Sequence, residues 1–170
     1  MTTLAILKRS AKEHFIPGMK ERGFTYSAKH FLFYRERNGI YYFLTPSTTT
    51  GGHAKFFYFA WAKELYLGEF DMSKFPKIGG MPTGDSLSKN GREGGGKLWN
   101  VDSVDDQIKA FEEVLELVDS FINPWFESID SGDRLIQELL FNWQEDEEFE
   151  DICKYIATSN LGSDKYNAEN

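Results

Sequence analysis

The sequence has one cysteine and no long apolar run, and each of these absences excludes a class of protein. A single cysteine, Cys153, excludes an intramolecular disulfide and a zinc site built from several thiolates, and it suits a reducing compartment. No apolar stretch approaches the ~20 residues that a membrane-spanning helix needs. The opening stretch MTTLAILKRSAKEHF carries charges too closely spaced for a secretory signal, so we expect a cytoplasmic protein that does not enter a membrane.

Aromatic residues, by contrast, are abundant, and fifteen of the 27 lie between Phe24 and Phe70. Their runs FTYSA, HFLFYRER, IYYFLTPS and HAKFFYFAWAKEL are rich in β-forming residues and predict four antiparallel strands in a meander. Asn38-Gly39 lies between two of these runs and is a strong signal for a tight hairpin turn. In FFYFAW both faces are apolar, which indicates a central strand that is covered on both sides, or covered on one side and functional on the other.

Helical periodicity flanks the strands. Apolar residues at spacings of three and four predict a first helix over residues 3–22, which Pro17 and Gly18 break or kink and whose short continuation ends at Gly23. A glycine-rich loop occupies about residues 71–98 and holds seven of the fifteen glycines. Beyond it, apolar residues recur at alternating spacings of four and three from Val104 to Trp125, and two more helices are predicted near 131–143 and 145–159.

The order of one helix, then strands, then helices predicts the fold class. It is α+β, with an N-terminal helix, an antiparallel meander of four or more strands, and C-terminal helices packed on the sheet. We expect a single domain over residues 1–160 and a flexible polar tail over residues 161–170.

Charge is divided unevenly along the chain. Residues 1–100 hold 15 basic and 8 acidic side chains, a net charge of +7, whereas residues 101–170 hold 4 and 19, a net charge of −15. Acids at helix N-termini and a basic sheet beside acidic helices account for much of this division. The alternative is an acidic face that attracts and selects a basic partner. Because the whole chain has a net charge of −8, it repels a phosphate backbone, and nucleic acid is not an expected partner.

No motif marks a catalytic or metal site. GREGGGK at residues 91–97 has the spacing of a phosphate-binding loop, but Leu98 stands where a hydroxyl should hold magnesium. The three histidines, His14, His30 and His53, lack the spacing of metal ligands. We therefore expect no cofactor and no metal, and we favour a protein that is not an enzyme.

Three features resemble a known bacterial family. They are an opening helix that ends in Gly23-Phe24, the aromatic and basic strand FLFYRER, and a late helix that runs into PWFE at residues 124–127. Over about Leu4 to Leu140 the chain resembles the bacterial family catalogued as domain of unknown function 4304. That family has no assigned catalytic residues, so the resemblance implies no site residue. The glycine-rich loop and the acidic last helix are where this chain departs from the family.

The preferred hypothesis is a non-enzymatic protein-binding module, for example an immunity-type inhibitor whose acidic helices cover a basic toxin or nuclease. Its predicted contacts are the carboxylates of the last helix: Glu145, Asp146, Glu147, Glu148, Glu150 and Asp151.

The alternative is a small-molecule binder or enzyme with a cleft between the aromatic sheet and the glycine-rich loop. The predicted lining of that cleft is Arg35, Tyr41, His53, Tyr58 and Trp61. A third hypothesis is an RNA-binding sheet, in which exposed rings of the run HAKFFYFAW would stack on bases.

Overall fold

The computed structural model describes residues 3–65, 83–89, 96–139 and 149–166. In these ranges the chain has the α+β fold that the sequence predicts. The helices are α1 (Thr3–His14), α2 (Ile16–Glu21), α3 (Val104–Leu117), α4 (Asn123–Ser128), α5 (Gly132–Gln137) and α6 (Phe149–Thr158). The strands are β1 (Thr25–Ser27), β2 (Leu32–Arg37), β3 (Ile40–Thr49), β4 (His53–Ala62), β5 (Asp85–Ser86) and β6 (Trp99–Asn100).

The sheet follows the order β1-β2-β3-β4-β5, with β6 as a further partner of β4. The predicted meander of four strands is confirmed as β1 to β4. The antiparallel pairing of β4 with β5 is at Phe57 and Tyr58, and its pairing with β6 is at His53 and Ala54. Two very short strands therefore lie along the edge of β4 that β3 leaves open. One of them, β5, falls within the stretch predicted as a glycine-rich loop.

Strand β4 is covered on both faces. Every residue from Tyr58 to Ala62 has no exposed surface, although successive side chains of a strand point to opposite faces of the sheet. The first interpretation of FFYFAW, a central strand that is covered on both sides, is therefore confirmed.

The chain divides into two compact units, and the division runs across β2, β3 and β4. Unit 1 consists of Met1–Arg35, Phe43–Tyr58 and Asp85–Pro124, and unit 2 consists of Glu36–Tyr42, Phe59–Gly84 and Trp125–Asn170. The two units are each built from discontinuous segments, and each has helices packed on strands of the sheet.

Phe15 is at the centre of unit 1. Its ring stacks on Phe111 of α3 with a centroid distance of 4.8 Å, and it meets Phe33 of β2 edge-on at 5.0 Å. Phe15 separates α1 from α2, so the break predicted at Pro17 and Gly18 is present but lies two residues earlier. Pro17 lies in the first turn of α2, where a missing N–H leaves no helical hydrogen bond unmade.

Helix α3 carries the long apolar periodicity. Ser103 caps it, because its Oγ accepts a hydrogen bond from the Asp106 N–H at 3.1 Å. A π-helical turn over Val118–Ile122 joins α3 to α4 and places Pro124 in the first turn of α4. The predicted apolar face is buried from Phe111 onward except at Leu115, which is half-buried. Its first predicted member, Val104, is 58% exposed.

In unit 2, Arg37 and Tyr42 hold the end of α4. The Tyr42 hydroxyl donates to the Ile129 carbonyl at 2.6 Å and accepts a hydrogen bond from Arg37 Nη2 at 3.0 Å. Arg37 also donates to the Ile129 carbonyl at 3.1 Å and to the Glu127 carboxylate at 3.0 Å. These bonds attach the carboxyl end of α4 to the hairpin formed by β2 and β3.

The hairpin turn is also the docking point of the chain beyond α6. Asn38 and Gly39 have φ angles of 45° and 84°, as a two-residue hairpin turn of this kind requires. The Gly162 N–H donates to the Asn38 carbonyl at 2.8 Å, and both Leu161 and Tyr166 are buried. The structure thus packs residues 161–166, which the polar sequence predicts as part of a flexible tail, because the turn supplies partners that the local sequence does not reveal.

We predict that Gly39→Ala destabilises the protein more than Gly23→Ala. Both glycines have φ near +84°, so both substitutions incur the cost of a left-handed alanine, about 1–2 kcal/mol. Only at Gly39 would the new Cβ overlap the Tyr166 ring; at Gly23 it would meet nothing within 4 Å. Overpacking adds about 1–3 kcal/mol, which urea unfolding measures.

The control is the same pair of substitutions in a background that carries both Tyr166→Ala and Leu161→Ala. There the excess cost of Gly39→Ala over Gly23→Ala should mostly disappear, since the ring of Tyr166 and the Leu161 Cδ2, which lies 2.8 Å from the new Cβ, are both gone. Equal costs for the two substitutions in the original chain would contradict the packing of Tyr166 on the turn.

Candidate functional site

The outward face of α3 carries a row of carboxylates, which we call the α3 acidic stripe: Asp105, Glu112 and Glu116. Their spacings of seven and four place them on one side of the helix, with Lys109 between them, and all four side chains are exposed. No Lys, Arg or His nitrogen among the described residues lies within 4.0 Å of the three carboxylates. The opposite side of α3 is buried through Phe111 and Val114.

Acids at the flanks of the helices are neutralised instead. In unit 1, Arg22 binds Asp119 with its Nε 2.8 Å from Oδ1, and Lys97 Nζ lies 2.6 Å from Glu113 Oε2. In unit 2, Arg37 pairs with Glu127 at 3.0 Å. Lysines and arginines of the first hundred residues therefore neutralise some of the carboxylates beyond residue 100, whereas those of the α3 acidic stripe have no such partner within the described ranges.

The predicted partner contacts on the last helix are only partly described. Glu145, Asp146, Glu147 and Glu148 lie outside the described residues. Glu150 and Asp151 are exposed in the first turn of α6, where the helix dipole favours negative charge. Ile152 and Ile156 anchor α6 in unit 2, so these two carboxylates face away from its buried side.

Glu113 is the most constrained carboxylate of α3. It accepts hydrogen bonds from Lys97 Nζ at 2.6 Å and from the Trp99 indole Nε1 at 2.9 Å. The hydrogen bond from Lys97 holds the pKa of Glu113 below its usual value, with a smaller contribution from Trp99, while partial burial acts in the opposite direction. Lys97 Nζ also lies 5.0 Å from the Trp99 ring centroid. This cluster fastens the strand β6 to α3.

The residues predicted to line a cleft on the sheet are mostly in the core. Tyr58 and Trp61 have no exposed surface and Tyr41 is also buried, whereas Arg35 and His53 are half-buried. The glycine-rich loop, the other wall of the predicted cleft, lies largely outside the described residues. The cleft itself thus stays a prediction.

The described part of that loop packs onto the sheet. Thr83 is fully buried, and its hydroxyl donates to the Ala60 carbonyl at 2.6 Å while accepting from the Ala60 N–H at 2.9 Å. In unit 1 the Leu87 N–H donates to the Phe56 carbonyl at 2.7 Å. Rings of β4 such as Tyr58 are covered, so they are not available for stacking on bases.

A groove of about 350 Å³ lies between α1 and the start of α3 in unit 1. The residues that line it combine charged, polar and apolar side chains: Ile6, Arg9, Ser10, Glu13, His14, Val104 and Gln107. A second, shallower groove of about 300 Å³ surrounds the Lys97–Glu113 pair.

The described residues show no metal site, no activated cysteine and no membrane-spanning helix. Within the described ranges, no group of three His, Cys, Asp or Glu side chains is placed to hold a metal ion. Burial raises the pKa of Cys153, which disfavours the thiolate form that a nucleophile needs. No helix in these ranges is both long and apolar enough to cross a bilayer.

Comparisons with models of protein families, with curated proteins and with solved structures each find no match. The resemblance to the family of unknown function 4304 therefore stays a prediction. The site must be interpreted from its own geometry.

The sequence analysis does not predict two features of the surface, the α3 acidic stripe and the groove beside α1. The α3 acidic stripe could have been predicted from the sequence, because its members lie on the side of the helix opposite the apolar repeat from which α3 is predicted. The groove beside α1 could not, because it depends on the burial of Gln107, a polar residue inside an otherwise apolar face.

We predict that Glu113→Gln destabilises the protein at pH 7 but not in acid. The pKa of Glu113 is lowered in the folded state, so its ion pair stabilises the fold above the unfolded pKa, near 4.5. That stabilisation disappears as the pH falls through the folded pKa. The carboxylate side chain is 48% exposed, which limits the loss at pH 7 to about 1 kcal/mol or less.

Glu112→Gln is the matched control, since it removes a neighbouring exposed carboxylate that has no Lys, Arg or His nitrogen of the described residues within 4.0 Å. Urea unfolding of both variants from pH 7 down to pH 3 should show a pH-dependent loss for Glu113→Gln alone. A loss that does not shrink as the pH falls from 7 towards 3, or an equal loss in Glu112→Gln, would contradict the role of the Lys97 ion pair.

Proposed function

We propose that this chain is a non-enzymatic protein-binding module that uses acidic helix faces to bind a basic partner. The observation that carries the proposal is the α3 acidic stripe, whose three carboxylates are exposed and have no Lys, Arg or His nitrogen of the described residues within 4.0 Å. Exposed carboxylates that outnumber the lysine between them, Lys109, give a rigid helix face a negative field that attracts and orients a positively charged protein surface.

The stripe is supported by a rigid base. Phe111 and Val114 anchor α3 in the core of unit 1, and the bonds of Glu113 and Asp119 fix its two flanks. A binding surface on such a helix loses little conformational freedom when a partner docks, which favours affinity. Glu150 and Asp151 at the start of α6 are proposed as a separate acidic contact on unit 2.

An immunity-type inhibitor is one concrete form of this function. Such a protein must cover a basic surface of a toxin or nuclease, and exposed carboxylates are the matching chemistry. The burial of Tyr58 and Trp61 favours this form over a ligand site on the sheet, because neither ring is accessible to a ligand.

The test begins with a photoreactive residue, p-benzoylphenylalanine, placed at Glu112 in cells. A crosslinked protein is then purified and its affinity for the original chain measured by calorimetry at several salt concentrations. We expect a basic partner whose affinity falls as salt rises. Neutralising the stripe with Asp105→Asn, Glu112→Gln and Glu116→Gln should weaken binding roughly tenfold, at about 0.5 kcal/mol for each charge.

Asp130→Asn, Asp133→Asn and Asp164→Asn form the control, because they change the net charge equally at other exposed positions. Their affinity should stay within about twofold of the original chain. Glu150→Gln with Asp151→Asn tests the contact on α6 in the same assay. An acidic or neutral partner, binding that salt does not weaken, or an equal loss in the control would refute the proposal.

A further inference from the structure

The groove between α1 and α3 is not used by the proposed function. It belongs wholly to unit 1 and brings together both signs of charge, apolar surface and buried polar atoms. Its volume of about 350 Å³ lies at the lower end of the ~300–1,000 Å³ range of small-molecule sites. A ligand that fits it is therefore small.

Two buried polar atoms mark the floor of the groove. Gln107 is only 2% exposed; its Nε2 donates to the Val101 carbonyl at 2.9 Å, but its Oε1 makes no hydrogen bond with any described residue. The Ser10 hydroxyl on α1 is likewise buried without a partner in the described ranges. Each such atom costs about 1–3 kcal/mol, and their convergence on one groove is typical of a ligand site.

One wall of the groove presents both signs of charge. Arg9 and Glu13 are four residues apart on α1, a spacing at which opposite charges often pair. Here Arg9 has no carboxylate of the described residues within 4.0 Å, and Glu13 has no lysine or arginine nitrogen of these residues within that distance; the His14 imidazole Nε2 lies 3.8 Å from Glu13 Oε2. Both the guanidinium and the carboxylate are thus available to a ligand.

The rim of the groove is apolar. Ile6 is 39% exposed and Val104 is 58% exposed, which makes them two of the large hydrophobic residues that unit 1 leaves in contact with solvent. Val104 belongs to the apolar repeat of α3 but does not pack in the core, so its side chain remains exposed at the rim of the groove. A ligand with an apolar group would remove this surface from water.

We propose that the groove binds a small zwitterion with an apolar side chain, of the chemical class of the α-amino acids. Arg9 holds the carboxylate, and Glu13 holds the ammonium group. Ile6 and Val104 contact the apolar side chain. This site is independent of the α3 acidic stripe.

The probes are L-leucine and two compounds that each lack one of its charges. 4-Methylpentanoate lacks the ammonium group, and 3-methylbutylamine lacks the carboxylate. Each is titrated into the isotope-labelled full chain up to about 10 mM, a range that detects millimolar affinity, while amide NMR shifts are recorded. We expect leucine to shift resonances of α1 and the first turns of α3, with affinity at least about tenfold above that of either analogue.

Two variants test the contributions of Arg9 and Glu13 separately. Arg9→Gln should weaken leucine and 4-methylpentanoate but not 3-methylbutylamine, and Glu13→Gln should do the reverse. Lys12→Gln is the matched control, because it removes a positive charge from the exposed side of the same helix outside the groove. Ser10→Ala should raise the free energy of unfolding, since it removes a buried hydroxyl that has no partner among the described residues.

Three outcomes would overturn the proposal. One is the absence of shifts with leucine at the highest concentration. Another is a set of shifts spread outside α1 and the start of α3. The third is a loss of affinity in Lys12→Gln as large as that in Arg9→Gln, which would indicate a general charge effect. A failure of the α3 acidic stripe to bind a protein would leave these expectations unchanged.

Discussion

Burial of β4 on both faces is the constraint on which the rest of the structure depends. A strand with apolar side chains on alternate faces must be covered twice, and helices packed on the strands of each unit supply part of that cover. In unit 1, Phe111 of α3 lies 6.5 Å from Phe56 of β4, measured between ring centroids. In unit 2, Phe126 of α4 lies 5.1 Å from Tyr42 of β3. Most aromatic side chains of the central strands are thus buried in the core, and the charged groups of the surface are carried largely by the helices.

The packing of the helices on the sheet explains how charge is distributed over the helix surfaces. Carboxylates beside the packed edges of helices meet cations, as Asp119 meets Arg22 and Glu127 meets Arg37. Carboxylates that face outward on α3 meet none within the described residues, because the buried side of the helix determines which side faces solvent. The uneven charge along the sequence is therefore partly internal pairing and partly exposed negative surface, and only the second part is free to attract a partner.

The sequence predicts those parts of the fold that local signals specify. The strands β1 to β4, the Asn38-Gly39 turn and the helical periodicity around Phe111 all follow from residue type and spacing. The two-residue strands β5 and β6 do not, because they exist only through pairing with an edge of β4. The packing of Tyr166 on the hairpin turn is also a long-range effect, and no feature of its polar neighbours indicates it.

The candidate sites show the same limit. The exposed position of Glu112 follows from the helical repeat, so the α3 acidic stripe could be predicted from the sequence. The burial of Gln107 depends on contact between helices that are about ninety residues apart in the chain, so the groove could not be predicted from the sequence. Residues chosen for their chemistry alone, such as Trp61, instead lie in the core, since a strand cannot show from its sequence which face is covered.

Native-state hydrogen exchange of the backbone amides of β4 is the most direct test of this account. If the aromatic sheet is a scaffold, the amides from Phe56 to Ala62 should exchange only through global unfolding, with a free energy equal to that measured by urea unfolding. Exchange of these amides through a local opening of much lower free energy would contradict the account, because it would show a sheet that opens to admit a ligand.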